Sequence, residues 1–486
     1  MTNHSGWWSL TRQGIKHSSV QTRRNSSLYN RPNRQTLHLS IRENHSDRKE
    51  NMADDSVEKA KAEKLVTAIV IGAGVRGQVY AGYALDFPDK LKIVGVADPR
   101  KFVRRHMQRV FNICQENVFE DWSQIVAKSK FANAAIIATP DRHHKEPALA
   151  CAVKGYHILL EKPMAVTEED CREIVRTCKE NKVILAVCHV LRYFPPTKKI
   201  KELITSGAIG EVVNIQHLEP IGFYHFAHSF VRGNWRREDD STFSLLAKCW
   251  HDIDLIHWWM GEKKCQRVSS FGSLQHFRRE NKPAGAGSRC TDCSIETSCP
   301  YSAKKLYLGN VLTGNFGPPV SVITDVPTPE SVKEALETGP YGRCVYESDN
   351  DVCDNQVVNM FFEGRRTASL TMVAFTEKFG ERQVRIFGTK GELTYSGGSS
   401  IHLFDFTTRL TKEIYPWSIA PMRTRLTGHG CADFFLMHNF VEAVANDDPS
   451  VILTSPDDTL ASHLLTFAAE RARRQNRVVS METPMA

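Results

Sequence analysis

The chain has 486 residues, of which 41% are hydrophobic and 24% charged, with 29 glycines and 21 prolines. These are the proportions of a globular protein of two or three domains, not of a fibrous or wholly disordered chain. No run of about 18 apolar residues occurs, which excludes a transmembrane helix and gives no membrane partner. The formal charge of +8 is concentrated in residues 1–50, which hold nine Lys/Arg against three acids, so the body is near neutral and no basic surface for nucleic acid is indicated.

Residues 1–64 read as a disordered extension rich in Ser, Asn, His and Arg. Its arginines and scarce acids resemble a transit peptide, whereas Met52 followed by Ala-Asp-Asp-Ser would serve as a start of its own. The cytoplasm is the expected compartment, with mitochondrial targeting by the extension as the alternative. The 13 cysteines, mostly in apolar segments and without a secretory stretch, read as reduced thiols.

From residue 65 the pattern becomes regular. Val66 to Ile71 reads as a buried strand, followed by Gly72-Ala73-Gly74-Val75-Arg76-Gly77 and a helix to about Phe87. Further strands are expected at 92–97, 134–138, 157–160 and 184–187, with helices at 101–112, 143–154 and 168–181. Thr167 is placed as the N-cap of the last helix. Strands alternating with helices predict a parallel sheet covered on both faces, a dinucleotide-binding Rossmann domain over 65–188. Beyond it, strands at 212–218, 356–364, 366–375, 382–388 and 391–396 predict a second α/β domain over 189–486 with a large, mostly antiparallel open sheet. Residues 280–345 interrupt that sheet as a Pro/Gly-rich insertion, and helices are expected at about 198–205, 432–446 and 456–475.

The glycine motif follows a strand, opens a helix and is followed by Asp98 at the end of the second strand, which is the context a dinucleotide fingerprint requires. Gly72 would allow the tight turn, Gly74 the approach of a pyrophosphate, and Gly77 close helix–strand packing. Asp98 would accept hydrogen bonds from the adenosine ribose and so favours NAD, while Arg100 could bind the 2′-phosphate of NADP instead. Thr139-Pro140 and Glu161-Lys162-Pro163 end strands that would line the ligand crevice, where a lysine can shuttle a substrate proton.

An ordered set of pieces, GAGVRG, VADP, ATP with His144, GYHILLEKP, VLRYFP, SGAIGEV, HDIDLIHWWMG and FGTKGEL, resembles the Gfo/Idh/MocA family (glucose–fructose oxidoreductase, inositol dehydrogenase and relatives) over about 65–475. The resemblance implies NAD(P)-dependent redox chemistry on a sugar, sugar derivative or cyclitol by a homodimer or homotetramer. It implies Lys162 as the catalytic or substrate-orienting group, Glu161 supporting the nicotinamide end, and His251 sharing the site. Val75, Arg76, Thr139, Pro140, His144 and Arg192 complete the residues expected on the cofactor side. Many relatives carry an acid four residues before this histidine. Here that residue is Ala247, and Lys248 stands beside it as a third candidate, with Asp252 as its possible i,i+4 partner. Two alternatives share the pocket: net glycoside hydrolysis or lyase chemistry by transient oxidation, and a nucleotide-sensing protein without catalysis, which the missing acid motivates.

Cys290-x2-Cys293-x5-Cys299 invites zinc, but no fourth cysteine or histidine lies close in sequence, and only folding could bring Cys249, Cys265 or His276 to it. Free thiols anchoring the insertion are expected and no metal is assigned. The Asp349/Asp351/Asp354 run lacks the Gly and Glu of an EF-hand and reads as a polar turn. His429 is a candidate pocket residue, and Trp235, Trp250, Trp258 and Trp259 are candidates for an aromatic floor.

Overall fold

The computed structural model describes residues 64–418 and 424–481, so the expected N-terminal extension lies outside the described residues. The β-branched run of β1 (Val66–Ile71) is buried along nearly its whole length, as a strand covered on both faces must be. It pairs in parallel with β2 (Leu91–Ala97) on one side and β4 (Ala134–Ile137) on the other. With β3 (Val118–Phe119), β5 (His157–Leu160) and β6 (Leu185–Val187) it forms a six-stranded sheet in the order β3-β2-β1-β4-β5-β6. Strand order reverses between β1 and β4, so the carboxyl ends of β1, β4 and β5 open on a topological switch point. Helices α1 (Val75–Ala81), α2 (Lys101–Phe111), α3 (Lys145–Val153) and α4 (Glu168–Glu180) alternate with the strands, and the Thr167 side chain caps α4 by accepting from the Asp170 amide.

The second sheet has nine strands. In chain order they are β7 (Val212–Pro220), β8 (Cys265–Ser273), β9 (Asn355–Phe362), β10 (Arg366–Val373), β11 (Gln383–Gly388), β12 (Gly391–Ser396), β13 (Ile401–Asp405), β14 (Thr411–Ile414) and β15 (Val479–Ser480). Their spatial order is β14-β13-β12-β11-β7-β10-β9-β8-β15. Among the described residues of this sheet only β7 and β10 pair in parallel. Helix α5 (Trp250–Met260) packs on β7 and β10, and α7 (Pro456–Gln475), opened by a Ser455 capping box, packs on β8. The opposite face is open: Phe271 and Val357, directly opposed across β8 and β9, are 63% and 38% exposed. Helix α6 (Gly428–Asn446) instead reaches back to α1 and β1.

Five elements depart from expectation. The helix after the glycine motif is interrupted at Gly82, with a separate turn at Tyr83–Asp86. Helix α6 begins at Gly428, and His429, Gly430 and Cys431 all carry left-handed φ values, a strained entry that the apolar pattern does not reveal. Strands β8, β13 and β14 are additions, because their exposed faces are too polar to give a strong apolar signal. The insertion spans the whole connection from β8 to β9 and carries its own small core of seven buried residues, including Tyr307, Val311, Val320, Val332 and Leu336.

The glycine loop is held by steric limits. Gly72 has φ +83°, and a Cβ there would lie 2.6 Å from the Ala138 carbonyl oxygen; one at Gly77 would lie 2.2 Å from the Gly72 carbonyl oxygen. Backbone cannot yield to such contacts as a flexible side chain can. Gly77→Ala is expected to lower stability by about 1–3 kcal/mol through overpacking, read as a lower urea midpoint; an unchanged midpoint would show that helix and loop separate freely.

Candidate active site

The crevice at the switch point is built from three strand ends. The Gly74 backbone faces open space, since a Cβ there would meet nothing nearer than the Arg100 guanidinium at 3.8 Å. Gly74 caps α1 without a side chain, which leaves the helix's first amides unclaimed by a cap. Asp98 at the end of β2 is buried, and its Oδ2 accepts from the Ala73 amide at 2.9 Å. Arg100 donates to the same carboxylate through its amide, Nε and Nη2 at 2.9–3.0 Å. Burial pushes the Asp98 carboxyl up, but these Arg100 bonds outweigh it and hold the carboxyl below its ordinary range. An open backbone concavity beside a fixed acid fits the pyrophosphate and ribose of a dinucleotide.

At the end of β5, Glu161 is the centre of a buried network. Its Oε1 accepts from Arg76 Nε at 2.7 Å and the Tyr80 hydroxyl at 2.6 Å, and its Oε2 accepts from the Lys162 amide at 2.7 Å. Arg76 also spans both oxygens of Asp433 in α6, at 2.7 and 3.2 Å, and the His429 ring lies 3.3 Å from the same carboxylate. Burial pushes the Asp433 carboxyl up, yet the Arg76 and His429 charges hold it well below the usual carboxylate range. The network ties the glycine loop, the β5 end and α6 together. Tyr80 and Asp433 were not singled out as site residues from sequence; an acid inside the apolar run Cys431–Leu436 was the available signal.

Lys162 projects the other way. Its Nζ donates to the main-chain carbonyl of Ala247 at 2.6 Å and lies 6.0 Å from the centre of the Trp235 ring. Burial lowers its pKa; Glu161 and Asp141 oppose this, and Lys248 and Arg76 reinforce it, leaving the amine below its ordinary value. His251 is 7% exposed, and burial together with the Lys162 charge drives its pKa well below the ordinary histidine value, so the ring is neutral. Among the described residues no side chain or carbonyl hydrogen-bonds its ring nitrogens. His225 is also held neutral by burial and by the charges of Lys248, His228 and Lys162, which identifies it as a further residue of this crevice.

The segment Leu245–Cys249 is a π-helical turn rather than α-helix. The expected i,i+4 pairing of Lys248 with Asp252 is replaced. Lys248 Nζ lies 3.2 Å from Glu219 Oε1 and 4.8 Å from the centre of the Phe379 ring. Asp252 accepts from His217 Nε2 at 2.6 Å and Arg382 Nε at 2.6 Å, and Arg382 also pairs with Glu219 at 3.1 Å.

Other expected cofactor residues sit differently. Arg192 is buried against Asp254, with which it makes two bonds at 2.8 and 2.9 Å, and donates to the Leu453 carbonyl; its guanidinium is committed to the core. His144 is fully buried with its two ring nitrogens facing the Pro163 and Thr139 carbonyls at 2.7 and 2.9 Å, so it braces the two strand-end loops. Thr139 donates to the His143 carbonyl, and Pro140 and Val75 are exposed at the crevice mouth. Of the four tryptophans, only Trp235 borders Lys162, its indole N–H held by Asp141 at 3.0 Å. Trp250 and Trp259 are core, and Trp258 stacks on Arg192. The acidic turn is structural: Asp349 pairs with Arg236 and Arg343, and Asp354 accepts the Gln275 and His276 amides.

Asp252 gives this site a pH signature. Burial pushes its carboxyl up, but the Arg382 charge and the His217 bond outweigh that and leave it at about 2, against an ordinary 3.8. A depressed carboxyl stabilises the fold above its unfolded pKa and loses that contribution as pH falls through the folded one. Stability is expected to fall by roughly 2 kcal/mol from this group between about pH 4 and pH 2. Asp252→Asn should flatten that part of the urea-midpoint profile; an identical slope in both proteins would remove Asp252 from the acid response.

Comparisons with known proteins match the site's two halves. Residues 66–189 match the oxidoreductase family with NAD-binding Rossmann fold, and residues 201–481 match its C-terminal alpha/beta domain. The 2,7-anhydro-N-acetylneuraminate hydratase of Escherichia coli is 29% identical over 43% of this chain and 53% of its own length. The scyllo-inositol 2-dehydrogenase (NADP(+)) of Bacillus subtilis is 28% identical over 38% and 49%. The chain thus spans about half the length of these curated relatives. Among solved structures, levoglucosan dehydrogenase in complex with NADH superposes with a TM-score of 0.63 at 17% identity, over 86% of this chain and all of that one. The scyllo-inositol dehydrogenase of Lactobacillus casei superposes at 0.59 and 16%, over 86% and 99%. At such identities the likeness is one of fold.

Proposed function

The chain belongs to the Gfo/Idh/MocA oxidoreductase family, and from that membership we propose that it transfers hydride between a nicotinamide and a hydroxyl-bearing carbon of a sugar, sugar derivative or cyclitol. The observation that carries this reading is Lys162, a half-buried amine at the end of a Rossmann strand, with a lowered pKa and bonded to the neutral Ala247 carbonyl. When bound, the nicotinamide supplies the hydride acceptor. Neutral Lys162 takes the substrate's hydroxyl proton as the C–H hydride leaves, and in reverse its ammonium returns that proton to the developing alkoxide. The Ala247 carbonyl orients the amine without adding negative charge, so it does the positioning that an acid does in many relatives while favouring the cation less. His251, neutral and uncommitted, hydrogen-bonds the reacting or a neighbouring hydroxyl. Lys248, neutralised by Glu219, acts through its field on Lys162 rather than as the base. Trp235 offers an apolar face to a ring.

NAD is favoured over NADP. Asp98 is fixed and negative where a 2′-phosphate would stand, while the side chain of Arg100 is 52% exposed and free to turn outward as the ribose hydroxyls take its place. A second reading has a specific support: two of the similar curated proteins are named hydratases, a reaction with no net redox change. In that reading the same base and hydride acceptor would work by transient oxidation, with the hydride returned before release.

A panel of pyranoses, pyranosides and inositols offered with NAD and with NADP tests both readings by nicotinamide absorbance and substrate loss. Net reduction, faster with NAD and lowered about 10²–10⁴-fold by Lys162→Ala, is expected. Substrate consumed with no net reduction and no need for added cofactor would favour the internal-redox reading. Full activity in Lys162→Ala would contradict both.

A further inference from the structure

The insertion between β8 and β9 presents a problem of stability and a problem of charge. It joins two strands through residues 274–354, and its own separate core is only seven side chains, while Phe277, Tyr301, Val345, Tyr346 and Val352 pack into the main core at its two ends. Segments with so small a core are commonly held by a disulfide or a metal, and every cysteine here is unpaired.

The charge problem lies at Arg232, the end of the π-helical turn Ala227–Arg232. It is 1% exposed. Its Nε donates to the Arg343 carbonyl at 2.7 Å, and its Nη2 to the Tyr301 carbonyl at 2.9 Å and the Cys290 sulfur at 3.4 Å. Its Nη1 has no partner, and among the described residues no carboxylate pairs with it. A buried cation without an anion is costly, so negative charge is expected beside it.

Beside it lies a cavity of about 170 Å³, lined by Arg232 and by four cysteines: Cys290, Cys293, Cys299 and Cys344. The first three form the C-x2-C-x5-C run. The fourth, distant in sequence, is delivered by a short bridge in which the Cys290 amide donates to the Gly342 carbonyl and the Cys344 amide to the Ser288 carbonyl, both at 2.8 Å. Backbone amides are aimed at two of the sulfurs, Ala303 at Cys290 and Gly287 at Cys293, each at 3.4 Å. Such N–H···S bonds suit sulfurs that carry charge.

We propose that Cys290, Cys293, Cys299 and Cys344 ligate an iron–sulfur cluster of the [4Fe–4S] type in this cavity. The volume favours a cluster over a single zinc ion: the cavity the four cysteines line is comparable to one that holds benzene, far larger than one ion fills. Four thiolates around such a cluster form an anion, which answers the unpaired charge of Arg232, and the cluster cross-links both ends of the insertion. The same turn starts two residues after His225, so the cross-link also steadies one wall of the crevice.

The test uses the full chain, expressed with ample iron and purified without oxygen, and measures iron, acid-labile sulfide, zinc and visible absorption. About four iron and about four sulfide per chain are expected, with a broad visible chromophore. Cys290→Ser and Cys344→Ser should each lose most of both, while Cys265→Ser, whose thiol bonds backbone carbonyls in the second sheet, should keep them. The wild-type stoichiometry decides even if a variant misfolds. Wild-type protein with no iron and sulfide after anaerobic reconstitution, or with about one zinc and no sulfide, would overturn the proposal.

Discussion

The carboxylate of Glu161 is the constraint on which the site depends. It is buried, and burial alone would neutralise it; the charges of Arg76 and Lys162 and the Tyr80 bond keep it ionised below the ordinary range. Because Arg76 comes from the glycine loop and reaches on to Asp433 in α6, one carboxylate fixes three segments far apart in sequence. The Lys162 amide is bonded to the same group, so the strand end from which the lysine projects cannot move independently of the loop that would cradle the pyrophosphate. Breaking such a network by removing one partner strands a buried charge, which is why it makes a rigid frame.

On the other side of Lys162 the frame is softer in charge. The π-helical turn at Leu245–Cys249 presents a carbonyl, not a carboxylate, to the amine. The neighbouring acids are spent elsewhere: Glu219 on Lys248 and Arg382, Asp252 on His217 and Arg382. The crevice therefore holds an amine and two histidines kept neutral by burial, His225 and His251. Desolvation there lowers the proton affinity of Lys162, as the proposed proton transfer requires.

What the sequence made legible follows from the range of each interaction. The glycine loop, Asp98, the Glu161-Lys162-Pro163 turn and the Thr167 cap are set by residues within one strand–turn–helix unit, so their spacing carries the information. Asp433, Glu219, Arg382 and Cys344 act on partners scores to hundreds of residues away, and nothing local marks them beyond a charge or thiol set among apolar neighbours. Arg192 and His144 stand in pieces that resemble the family, yet their side chains are spent on Asp254 and on two carbonyls. The Lys248–Asp252 pairing gives way for a different reason: His217 and Arg382 claim Asp252, and Glu219 draws Lys248, all from distant strands.

Desolvation and a neutral acceptor leave Lys162 a weaker base than an ordinary lysine, and so one that can be neutral when substrate binds. Nitrogen-15 labelling of the lysines, with the Lys162 signal assigned by its loss in Lys162→Arg, allows its titration to be followed directly in the free enzyme. A midpoint below the ordinary 10.5 is expected, with the neutral amine gaining as pH rises through it. A midpoint at or above 10.5 would mean that Glu161 and Asp141 dominate the lysine's surroundings, and the assignment of Lys162 as the proton acceptor would fall.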